Sequence, residues 1–127
     1  MPVLSDFTTI LGDSTVEIGD GSNRNGWTAK FDTGGRTGGT AFITFMMKGL
    51  TKAQGNAQVF VNDTPVGYLF HSNGGNANHW SMQTVSLKGG TLKDGGNVLR
   101  VESVQATTSG YDNYFLRDII CHFHQEA

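Results

Sequence analysis

Val59-Phe60-Val61-Asn62-Asp63-Thr64-Pro65-Val66-Gly67 reads as a β-hairpin. Ala57, Val59 and Val61 share one face under two-residue alternation, as a half-buried strand requires. Asn62 and Asp63 supply the turn, because their side chains accept local backbone hydrogen bonds and Asp tolerates a left-handed backbone. Pro65 leaves the hydrogen-bond ladder as the chain reverses, and residues 66–70 return as the second arm.

The same rhythm recurs on both sides. Residues 14–18 alternate polar positions with Val16 and Ile18, and residues 27–31 place Trp27, Ala29 and Phe31 on one face. Ala41, Ile43, Phe45 and Met47 share a face in the next run, while Phe42, Thr44 and Met46 take the other. A strand apolar on both faces is central and covered by a second layer. Residues 80–87 and 97–104 form two more strands, separated by Gly89-Gly90 and Gly95-Gly96 turns. Residues 114–124 close the chain, with Phe115, Ile119, Cys121 and Phe123 on one face and Leu116 and Ile120 on the other. Helical periodicity is confined to a short run near residues 50–54. About eight short strands with turns between them predict one all-β domain over residues 1–127, a two-sheet antiparallel β-sandwich.

Composition excludes several classes. With 37% hydrophobic and 16% charged residues, the chain has enough apolar side chains for a core and too little charge for disorder. The net charge is −2 and the basic residues are scattered, so nucleic acid is not expected as a partner. No apolar run approaches the ~20 residues of a membrane span. The first residues lack a basic segment followed by an apolar one, so no signal peptide is visible. That leaves a cellular protein, export without a signal, or a leader already removed. Cys121 is a single cysteine in an apolar strand and is expected to be packed rather than reactive.

Three segments, in order, carry a family resemblance. The hairpin resembles "V-x-V-N-G-x-x-V-G", Leu92 to Val101 is similar to "L-x-x-G-x-N-x-L-x-V", and Asp112 to Ile120 resembles a closing strand "D-x-F-x-x-D-x-I". These are motifs of galactose-binding-like jelly rolls, which include many carbohydrate-binding modules and the sugar-binding domains of glycosidases. Asp63 departs from the family's usual glycine, and the first half of the chain matches only in strand rhythm. The resemblance implies a jelly-roll sandwich, sugar binding of a lectin-like or module-like kind, and often a structural calcium. An acid near the first strands, Glu17 or Asp20, and Asp118 on the closing strand would be its ligands, with further oxygens required.

Sugars are held by aromatic rings against their C–H faces and by planar amides and acids on their hydroxyls. Loop 71–80 supplies such groups densely in His71, Asn78, His79 and Trp80. Tyr111, Asp112 and Asn113 do so again, and Trp27 closes a third cluster with Asn23, Arg24 and Asn25. Trp27 and Trp80 also begin strands, which suits a core anchor equally well. A site therefore requires these clusters to converge at one end of the sandwich. His122 and His124 share a strand face, but a metal would need a third ligand from elsewhere.

Enzyme chemistry has no focus: there is no nucleophile elbow, phosphate loop or cysteine-based zinc spacing. Carboxylates such as Glu17, Glu102 and Asp112 exist, but nothing selects a pair for glycoside cleavage. The expectation is a non-catalytic carbohydrate-binding domain. The alternative is a structural jelly roll of a phage, capsid or secretion machine, in which the same aromatics pack between subunits of a homo-oligomer.

Overall fold

A computed structural model describes residues 3–33, 37–50, 57–70, 79–105 and 110–126, with residues 3, 4, 37 and 126 described by backbone alone. The strands are β1 (Val3–Leu11), β2 (Val16–Ile18), β3 (Trp27–Phe31), β4 (Thr37–Lys48), β5 (Ala57–Val61), β6 (Thr64–Leu69), β7 (Ser81–Leu87), β8 (Asn97–Val101), β9 (Val104–Gln105), β10 (Tyr111–Asp112) and β11 (Tyr114–Glu126). One sheet runs β1-β11-β4-β7, with β2 also paired to β11; the other runs β3-β8-β5-β6. A two-stranded ribbon, β9 with β10, completes the set, and every pairing is antiparallel. This is the two-sheet sandwich that the strand rhythm predicts, with the jelly-roll order that the resemblance implies. Among the described residues no helix is long and apolar enough to cross a membrane.

The core lies between the sheets. Ile43, Phe45 and Met47 of β4, Val85 and Leu87 of β7, and Leu116, Ile119 and Cys121 of β11 face Val59, Val61, Leu99 and Val101. The hairpin forms as expected: Val61 pairs with Thr64, and Asn62 and Asp63 both take positive φ, 53° and 65°. Two left-handed residues in a two-residue loop match the right-handed twist of the flanking strands.

Two asparagines from separate motifs join the hairpin to β8. Asn97 is fully buried; its Oδ1 accepts from Lys93 N (2.8 Å) and Asn62 Nδ2 (2.9 Å), and its Nδ2 donates to Lys93 O (3.0 Å). The Asn62 Oδ1 accepts in turn from Val98 N at 2.9 Å. A buried amide is tolerated only when its donors and acceptors are matched, as they are here.

The structure departs from strict alternation in three places. The run expected over residues 97–104 ends as β8 at Val101, and Val104–Gln105 turns away to pair with Tyr111–Asp112. The N-terminal residues, which carry no clear strand signal, form the edge strand β1 on β11. The third departure is a bulge in β11: Arg117 pairs with Met46 and Ile120 with Thr44, so Asp118 and Ile119 oppose Phe45 alone. Asp118 takes φ 49°, and the extra residue reverses which face the strand buries. Leu116 is therefore buried before the bulge, and Ile119, Cys121 and Phe123 after it. Phe115 is not on the core face with them; it lies on the outer face.

Candidate functional site

The outer face of the five-stranded sheet follows from this register. Phe42, Thr44, Met46 and Lys48 alternate with the buried side chains of β4 and point away from the core. Across β11 stand His122, Ile120, Arg117 and Phe115; across β7 stand Ser86, Thr84 and Met82. The second layer expected over this face of β4 is not found among the described residues: Phe42 is 41% exposed, Met82 67% and Phe7 of β1 62%. Large apolar side chains left uncovered together on a rigid sheet mark a surface that meets something.

Aromatic rings stand at both ends of this face. At one end Trp80 directly precedes β7, beside Lys48 and Phe115. The Lys48 ammonium lies 5.0 Å from the Trp80 ring centre and 5.7 Å from that of Phe115, and the Arg117 guanidinium lies 4.3 Å from the Trp80 ring. These are cation–π distances. At the other end the Phe42 and His122 rings stack at 4.6 Å with 14° between their planes. The His122 Nε2 is 3.4 Å from Thr44 Oγ1, which helps fix the ring. Beside Phe42 a shallow groove of about 720 Å³ runs over Thr84 and Ser86 to Lys88. Lys48 lies six positions along β4 from Phe42, roughly 20 Å of strand.

The residues singled out from sequence fall into distinct places. Trp80 is half-buried within the outer-face cluster, and His79 is exposed beside it. His71 and Asn78 lie outside the described residues. Tyr111, Asp112 and Asn113 sit at the sheet end where β11 begins, clasped to the loop after β2. There Tyr111 N donates to Asp20 Oδ1 (3.1 Å), Asp20 N donates to Asn113 Oδ1 (2.7 Å), and Arg24 lies 5.2 Å from the Tyr111 ring. Much of that polar cluster's capacity is spent on holding two loops together. Trp27 packs against the core as a partly buried side chain, which is the anchor role.

The three acids considered for calcium are not assembled into one group. Glu17 pairs in register with Phe115, Asp20 holds the loop clasp, and Asp118 Oδ2 lies 3.3 Å from Arg117 Nε. Among the described residues no three His, Cys, Asp or Glu side chains are placed to hold a metal ion. Sequence reasoning missed Phe115, Arg117, Lys48 and Phe42 as surface groups. The alternation of Phe42, Thr44 and Met46 carried part of that signal; the bulge that turns Phe115 outward did not.

No protein-family model matches the sequence, and no curated protein matches it. Solved structures do. A family 35 carbohydrate-binding module from Clostridium thermocellum is similar at TM-score 0.56 and 18% identity, over 92% of this chain and 97% of that one. A family 29 carbohydrate-binding module is similar at TM-score 0.52 and 9% identity, over 94% and 92%. A β-porphyranase of glycoside hydrolase family 86 from Bacteroides plebeius matches at TM-score 0.55 and 14% identity, over 98% of this chain and 21% of that one. At such identities the likeness is one of fold: this chain has the β-sandwich fold of carbohydrate-binding modules.

Proposed function

We propose that this chain is a non-catalytic carbohydrate-binding domain that holds a glycan on the outer face of its five-stranded sheet. The observation that carries this reading is the uncovered face itself, with Trp80 and Phe115 at one end and the Phe42–His122 stack at the other. Rings on a rigid sheet offer planes to the C–H faces of sugars without the ordering cost of a loop. Between them Thr44 and Thr84 provide hydroxyls. The length of β4 between the two ends suits an extended chain of several sugars rather than a single ring.

Affinity electrophoresis against a panel of soluble polysaccharides, with tryptophan fluorescence as a second readout, tests the proposal. Retardation by at least one polysaccharide is expected. Trp80→Ala should abolish the fluorescence change, and Phe42→Ala should weaken binding about tenfold, near the 1.4 kcal/mol of one modest ring contact. Both side chains are partly exposed, so melting temperatures should move little. If no glycan binds and the protein is a discrete oligomer in which Phe7→Ser or Met82→Ser dissociates the subunits, the face is an assembly surface and the proposal fails.

A further inference from the structure

Resting on that reading, we infer that the preferred glycan is anionic, a chain whose sugars carry carboxylate or sulfate groups, bound at Lys48, Arg117 and Trp80. The chain as a whole is acidic, at −2, yet two cations converge on one indole at this end of the sheet. Lys48 makes no ion pair among the described residues. The register places Glu17 across Phe115, but a side chain at Gly21 would collide with the Glu17 carboxylate, which is therefore turned back toward its own loop. Arg117 Nε is buried and lies 3.3 Å from Asp118 Oδ2, an ion pair without hydrogen-bond geometry, while the side chain as a whole is partly exposed. The partly exposed remainder of the guanidinium, rather than this enclosed nitrogen, is what a ligand from solvent can reach.

The two cations also discriminate between ligands. Any sugar that stacks on Trp80 competes with the charges that lie against the ring, and a neutral sugar gives them no partner in exchange. An anionic sugar does: its apolar face meets the aromatic surface while its acid group takes the ammonium and guanidinium donors. Lys88, at the rim of the groove beside Phe42, adds a third positive charge along the same face. Attraction of this kind is screened by salt.

The experiment compares polygalacturonate and dextran sulfate with neutral galactan and dextran by affinity electrophoresis and calorimetry on the intact protein. We expect one anionic polymer to bind at least tenfold more tightly than its neutral counterpart, and to weaken as salt rises from 0.05 to 0.5 M. The carboxylate and sulfate arms distinguish the two sources of charge. Lys48→Met, which keeps the side-chain length, should lose at least tenfold for the anionic polymer with an unchanged melting temperature, and Lys48→Arg should retain binding. Tighter binding of neutral polymers, indifferent to Lys48→Met, would overturn this inference while leaving glycan binding in place. Equal binding to polyglutamate would also overturn it, since charge alone would then suffice. If no polysaccharide binds at all, the proposed function itself falls.

Discussion

Asn97 shows how a single polar side chain fixes loop geometry. Its amide spans three partners: the amide and carbonyl of Lys93, and the side chain of Asn62. Asn97→Ala strands the Lys93 N–H and removes one bond each from Lys93 O, which keeps Thr33 Oγ1 at 3.4 Å, and from Asn62 Nδ2, which keeps Thr91 O. Each stranded group costs about 1–3 kcal/mol, and water admitted to the small cavity recovers some of it. The expected loss is about 2–4 kcal/mol, read as a lower urea midpoint at unchanged slope. Asn97→Asp tests the donor separately: it keeps an acceptor for Lys93 N but sets a charged oxygen against the Lys93 carbonyl, so it should be no better than alanine. A loss below about 1 kcal/mol for Asn97→Ala would mean that the network is dispensable.

The hairpin and β11 are instructive opposites at the scale of the element. In the hairpin both loop residues are left-handed, and Asp63 at φ 65° occupies a position that glycine fills without steric cost. Asp63→Gly should therefore stabilise the protein by a few tenths to about 1 kcal/mol, measured by thermal and urea unfolding. No gain would imply that the exposed Asp63 side chain offsets its backbone strain. This turn was legible because its determinants are adjacent in sequence: Asn62, Asp63 and Pro65 announce it. The β11 bulge was not, because Asp118 carries no such signature and apolar residues lie on both sides of it. What holds Asp118 in place is remote, the bond from its N–H to Gly12 O at 2.8 Å. The slip moves Phe115 from the expected core face to the surface, where it borders Lys48 and Trp80. One residue of register thus decides whether the candidate site exists.

For the molecule as a whole, strand rhythm and the linked motifs at Asn62 and Asn97 suffice to predict the sandwich, whereas the polar and aromatic clusters of the sequence point to loops for the site. Trp80 ends such a loop and is legible there; the sheet face is not, since sequence alternation cannot tell a face covered by a second layer from one left open. The closed side of the same sheet makes a prediction about the entire fold. β11 buries two weak acids, Tyr114 and Cys121. Burial pushes the Cys121 thiol up to about 12 from its ordinary 9.0. Burial, and then the Glu102 charge, hold the Tyr114 phenol well above its ordinary 10.0, while its hydroxyl donates to Glu102 O at 2.5 Å. Both groups are neutral when protonated, so below pH 9 they are protonated in folded and unfolded chains alike and their contribution is constant. Above pH 9 the unfolded chain releases the thiol proton that the folded chain keeps, and stability falls by about 1.4 kcal/mol per pH unit. Above pH 10 the phenol doubles the slope, for a combined loss of about 4 kcal/mol by pH 11. That is a large part of the roughly 6–19 kcal/mol expected for a domain of this size. Urea unfolding at half-unit steps from pH 8 to 11 should trace the break. Cys121→Val, close in volume and without a titrating group, should flatten the curve between pH 9 and 10 and halve the slope above pH 10, leaving the phenol's share. All other side chains are common to both variants, so the difference between the curves isolates Cys121. Coincident curves would show that the thiol ionises without opposing the fold, and hence that β11 is not closed around it.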